Sequence, residues 1–135
     1  KINHIAVVVP NVTEALAFWQ KALGLKLSHV EHNEDELVDI AFLPLDNGQG
    51  EIELIAPFTE DSGIAKYLAK RGAGMHHICI EVEDLNAIVD RLRDDGFDTV
   101  GEVQDYADVY RLVYVRGPEG LIVELAENIA SARAS

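Results

Sequence analysis

Apolar positions along the chain recur at two spacings, every second residue and every three to four, and their order repeats. Residues 2–9 read Ile-Asn-His-Ile-Ala-Val-Val-Val and predict a buried strand ended by Pro10. Asn11 or Thr13 caps a helix reaching about Leu23, with Gly24 as its stop. Within it Leu16, Trp19, Gln20 and Leu23 follow helical spacing, which makes Trp19 a core residue. Residues 25–30 alternate as a second strand. His29, Glu31, His32, Asn33, Glu34, Asp35 and Glu36 then predict a solvated hairpin connection. Residues 37–45 and 51–56 predict two further strands, joined through an Asp46-Asn47-Gly48 turn and stopped by Pro57. The order is β-α-β-β-β.

A connector follows, with a helix capped by Asp61 or Ser62, an apolar side of Ile64, Tyr67 and Leu68, and an end at Gly72. The first pattern then returns. Residues 76–82 predict a strand, and Asp84 caps a helix with the stripe Leu85, Ile88, Val89 and Leu92, stopped at Gly96. Residues 97–103, 109–115 and 121–126 predict strands, with a loop over 104–108, a tight turn over 116–120 and a frayed tail. Both copies open alike, Asn3-His4-Ile5 and His76-His77-Ile78, and close alike, Ile52-Glu53-Leu54 and Val123-Glu124-Leu125. His4 and Glu53 are 49 positions apart, and His77 and Glu124 are 47. Such a repeat fixes the architecture. The expectation is one α+β domain over 1–135: module one 1–57, connector helix 58–73, module two 74–128 and tail 129–135.

The repeat also selects candidate chemistry. On the strand over 76–82, His77, Cys79 and Glu81 share one face and His76, Ile78, Ile80 and Val82 the other. Two modules packed about a pseudo-twofold would bring His4, Glu53, His77 and Glu124 to one cavity. Two imidazoles and two carboxylates suit a divalent first-row metal with positions open for substrate. Glu53 and Glu124 interrupt apolar strands, where a carboxylate without a partner is costly. The competing reading places the glutamates on an outer solvated face and makes the histidines satisfied core residues.

Composition narrows the classes. At 135 residues the chain can bury a core without disulfides, and 48% hydrophobic with 26% charged residues is ordinary for a globular protein. No apolar run approaches the ~20 residues of a membrane helix, and no leader peptide is expected. The single cysteine, Cys79, reads as a small buried hydrophobe and suits a reducing, cytoplasmic setting. A net charge of −13 argues against nucleic-acid and anionic-membrane partners.

The duplicated pattern with these four positions resembles the vicinal oxygen chelate superfamily, the fold of glyoxalase I and extradiol dioxygenases. Within it the chain is most similar to the methylmalonyl-CoA epimerases. The likeness lies in Phe42-Leu43-Pro44-Leu45, Glu51-Ile52-Glu53-Leu54, the helix Asp61-Ser62-Gly63-Ile64-Ala65-Lys66-Tyr67-Leu68, and Gly74-Met75-His76-His77-Ile78. Arg116-Gly117-Pro118-Glu119-Gly120 is a turn common across the superfamily, where epimerases usually carry a lysine-containing, glycine-rich version.

The resemblance implies two βαβββ modules forming a cupped mixed sheet around a metal site. It also implies an acyl-CoA substrate, a homodimer, and a divalent ion (cobalt, zinc, nickel or manganese) held by His4, Glu53, His77 and Glu124. The implied reaction is epimerisation of methylmalonyl-CoA by proton abstraction at C2 through a metal-stabilised enolate. Glu124 is the implied base on one side of C2. Asp39 on the third strand, alternating with Val38 and Ile40 and so directed away from them, is the implied base on the other. Lys66, Lys70, Arg71, Arg111 and Arg116 are the cations available to a CoA phosphate. Alternatives are a glyoxalase I-type lactoylglutathione lyase, which uses the same four ligands, and a non-enzymatic small-molecule-binding protein of the same fold. A two-histidine, one-carboxylate iron dioxygenase leaves the second glutamate unexplained.

Overall fold

A computed structural model describes residues 1–45 and 48–130, so the predicted turn at Asp46-Asn47 and the tail beyond 130 lie outside the described residues. The chain forms two compact units. The first is His4–His76; the second combines Lys1–Asn3 with the chain from His77 onward. No helix among the described residues is long and apolar enough to cross a membrane.

The first unit runs β1 (Ile2–Val8, of which it holds the part from His4), α1 (Val12–Leu16), β2 (His29–Asn33), β3 (Val38–Pro44), β4 (Glu51–Pro57) and α2 (Gly63–Arg71). Its sheet has the order β2-β3-β4-β1, with β1 and β4 parallel and the other neighbours antiparallel. The second unit follows the same plan with β5 (Gly74–Glu81), α3 (Leu85–Asp94), β6 (Thr99–Tyr106), β7 (Tyr110–Arg116) and β8 (Ile122–Asn128). Its order is β5-β8-β7-β6, with β5 and β8 parallel. The predicted β-α-β-β-β order is present twice.

Local chemistry sets the helix ends. The Asn11 side chain accepts from Glu14 N at 3.0 Å and starts α1, which widens into a π-type turn over Ala17–Ala22. Trp19 packs on the core of Ala41, Leu43, Ile52 and Leu54, as its spacing predicts. Ser62, not Asp61, caps α2. Its buried hydroxyl accepts from Ile64 N at 3.1 Å and donates to Glu36 O at 3.2 Å, tying the helix to the β2–β3 turn. Asp84 caps α3, which buries Leu85 and Val89 against Val113, Val115 and Leu125.

Two strands differ from expectation. Leu25 and Leu27 do pack on the core, but β2 begins only at His29. The β2–β3 register would set Leu27 opposite Pro44, which has no N–H to offer the ladder, so pairing closes with Ser28 N donating to Phe42 O at 2.8 Å. The polar residues Glu31–Asn33 are therefore strand, and the turn shrinks to 34–37, where the Asn33 side chain accepts from Glu36 N at 2.8 Å. Similarly β6 runs on to Tyr106, and the hairpin closes through a three-residue loop, Ala107 to Val109, with Ala107 and Asp108 at φ 51° and 56°. A left-handed alanine is strained by about 1–2 kcal/mol. Ala107→Gly is expected to stabilise the protein by roughly 1 kcal/mol, read as a higher urea midpoint at constant m.

The tail's first residue is docked, since Ile129 is buried and its N donates to Val109 O at 2.8 Å. The chain's first residues also belong to the second unit. Lys1 O accepts from Glu81 N at 2.8 Å, and Asn3 Nδ2 donates to the Tyr110 hydroxyl at 3.4 Å. Partial burial pushes the Tyr110 phenol above its ordinary pKa, and the nearby Glu81 charge adds to the shift.

Candidate active site

The parallel pairing within each unit builds the same small constellation. In the first, Ala6 lies opposite Glu53, so His4, two residues earlier on β1, shares the face of Glu53. His4 Nδ1 is 3.0 Å from Glu53 Oε2. In the second, Cys79 lies opposite Glu124, and His77 again stands two residues before. His77 Nε2 is 3.2 Å from Glu124 Oε1. His4, His77 and Glu124 are buried, and the Glu53 side chain is only 13% exposed. The outer-face reading of the glutamates is thereby excluded.

Each glutamate has an aromatic residue across the antiparallel neighbour, Phe42 opposite Glu53 and Tyr114 opposite Glu124. The His77 ring meets Tyr114 edge-on at 5.3 Å. These two positions were missed in the sequence, although counting back from the glutamates through the antiparallel turn finds both. Cys79 is buried and forms no disulfide, and its Sγ lies with donor atoms of His4 and Glu124 within 4.8 Å of one another.

The donor sets fit a metal. Two ligands each about 2.1 Å from one ion and at right angles lie about 3 Å apart, which matches both His–Glu separations. Imidazole nitrogen with carboxylate oxygen is a donor set for first-row divalent ions. Each pair also meets the need of a buried carboxylate for a partner.

Asp39 is placed differently from expectation. It does point away from Val38 and Ile40, but Ile40 lies opposite Ile55 and Phe42 opposite Glu53, so the even-numbered residues of β3 share the face of Glu53. Asp39 stands on the other face, with Ala41 and Leu43. Its carboxylate is held by His32 Nδ1 at 2.6 Å, and the His32 ring stacks on Phe58 at 4.2 Å. The repeat puts Arg111 at the equivalent place, three residues before Tyr114 as Asp39 is three before Phe42. Arg111 is paired across to Asp105 at 3.0 Å, and that hydrogen bond raises the guanidinium pKa further. Both are cross-strand ion pairs on an outer hairpin. Asp39→Asn is accordingly expected to change turnover by less than about threefold, within the scatter of a half-exposed surface pair worth at most ~1 kcal/mol.

Comparison with known proteins agrees with this geometry. The family model described as Glyoxalase/Bleomycin resistance protein/Dioxygenase superfamily matches residues 3–114. An ethylmalonyl-CoA/methylmalonyl-CoA epimerase of Cereibacter sphaeroides is 39% identical over 102 residues, 75% of each chain. The mitochondrial methylmalonyl-CoA epimerase of Homo sapiens is 41% identical over 90 residues, 66% of this chain and 50% of that protein. The chain thus spans about half the length of the human relative. The crystal structure of the methylmalonyl-CoA epimerase from Mycobacterium tuberculosis superposes with a TM-score of 0.81 at 31% identity, covering 99% of this chain and 91% of that one. The protein belongs to the methylmalonyl-CoA epimerase family, within the glyoxalase/bleomycin resistance protein/dioxygenase superfamily.

Proposed function

We propose that the protein interconverts the (R) and (S) forms of methylmalonyl-CoA by removing and returning the proton at C2. The observation that carries this reading is the buried His–Glu pair made twice in identical register, in a chain this similar to named epimerases. The His–Glu pair of each unit, His4 with Glu53 and His77 with Glu124, would supply donors to a divalent ion, which would supply Lewis acidity toward the thioester oxygen. Glu124, buried beside the His77 ring, takes the C2 proton as its carboxylate becomes a carboxylic acid, and the electron pair moves into the enolate. A proton from solvent delivered to the opposite face of C2 completes the inversion, and Glu124 gives its proton back to solvent as product leaves, restoring the carboxylate. Burial around Glu124 keeps competing water from the base.

The test is deuterium uptake at C2 of methylmalonyl-CoA in heavy water, measured alongside the metal content of the purified protein. Metal-dependent exchange supports the reading. A bound divalent ion without exchange would move the assignment to lactoylglutathione lyase chemistry, which isomerises a hemithioacetal by a similar proton shift. Ligand binding that survives His77→Ala in a metal-free protein would instead identify a binding module.

A further inference from the structure

The acidic chain concentrates positive charge in one place. Residues 62–80 contain no aspartate or glutamate, yet α2 within them carries Lys66, Lys70 and Arg71. Lys66 and Lys70 stand one turn apart, as do Tyr67 and Arg71, whose guanidinium lies 5.6 Å from the Tyr67 ring centre. Among the described residues none of the three cations makes an ion pair, in a protein of net charge −13. Like charges at this spacing cost a helix a few tenths of a kcal/mol when no acid offsets them. Complementing the helix dipole accounts for Lys70 and Arg71 in the last turn, but not for Lys66.

The surroundings of these cations are also ordered. The Tyr67 hydroxyl donates to Met75 O at 3.5 Å, and its ring meets His76 at 4.7 Å. Helix α2 lies over the site face of the first unit's sheet. Its Ile64 packs with Ala6, Val38 and Ile55, and Ala6 is the residue directly opposite Glu53.

We propose that the α2 surface of Lys66, Lys70 and Arg71, with Tyr67 beside them, binds the phosphate-bearing nucleotide end of the acyl thioester. The inference rests on the epimerase reading for its substrate class. Flexible lysines and a guanidinium meet the phosphates, while the Tyr67 ring offers a stacking surface for the purine. Arg111 is excluded from this role by its pairing with Asp105.

The experiment compares the wild type with a Lys66→Gln/Lys70→Gln/Arg71→Gln variant in two assays. By calorimetry, adenosine 3′,5′-bisphosphate is expected to bind the variant about tenfold or more weakly, the loss of at least one charge-assisted contact. In C2 exchange, kcat/KM is expected to fall about tenfold more for the CoA thioester than for the matching pantetheine thioester. Equal affinity of both proteins for the bisphosphate would overturn the proposal. Inorganic diphosphate binding as tightly as the bisphosphate would overturn its nucleotide part. Patch-dependent bisphosphate binding without C2 exchange would uphold this site and reject the epimerase reading, so the two fail separately.

Discussion

Glu124→Gln is expected to lower C2 exchange by about 10²–10⁴-fold, the usual worth of a positioned general base. The substitution keeps the size of the side chain and an oxygen to face His77, and removes only the capacity to take up a proton. The fall should therefore appear in kcat and kcat/KM together, with KM little altered. Metal content should persist in Glu124→Gln but drop in His77→Ala, because the amide oxygen is still a donor and a methyl is not. That contrast separates the base from the ligand. Circular dichroism matching the wild type in both variants establishes that neither loss is unfolding. Exchange within tenfold of the wild type in Glu124→Gln would remove Glu124 from the role of base.

The four central positions were legible because the repeat is written in residues whose burial is costly. A carboxylate inside Ile52-Glu53-Leu54 needs a reason, and finding the same interruption in Val123-Glu124-Leu125 supplies one. Register then does the rest, since equal offsets on parallel strands give equal contacts in both units. The placement of Asp39 failed because β3 is apolar on both faces. Alternation correctly separated Asp39 from Val38 and Ile40, but the apolar side was taken as the one away from the site. In the protein Ile64 of α2 packs on that same side with Val38 and Ile40, so apolar residues line the site face and the polar one leaves it. The start of β2 was missed because the Leu25 and Leu27 alternation is real packing without a ladder. The proline that forbids the ladder lies on the other strand. The choice between Asp61 and Ser62 as cap turned on a second acceptor, Glu36 O, which is distant in sequence.

Leu54→Ala is expected to destabilise the protein by about 3–5 kcal/mol. Leu54 has no exposed surface and sits on the central strand β4, opposite Ala41 on one side and Val7 on the other. Leu43, Ile52 and Ala56 surround it in the core, which Leu16 and Trp19 of the first helix cover. A site enclosed by two strands and a helix cannot collapse into the space a leucine leaves, which puts the cost toward the upper part of the range. Total stability of about 5–15 kcal/mol for a domain makes this a large fraction. Urea denaturation should show a lower midpoint at unchanged m, and Leu54→Met should recover most of the loss because it restores the volume. The neighbouring residue gives the measurement a second reading. Leu54 follows Glu53 on the same strand, so loosening its packing frees the backbone that aims Glu53 at His4. At temperatures where Leu54→Ala is still folded, metal affinity should fall with it and recover in Leu54→Met. Metal affinity unchanged in folded Leu54→Ala would show that the packing beneath Glu53 does not aim it.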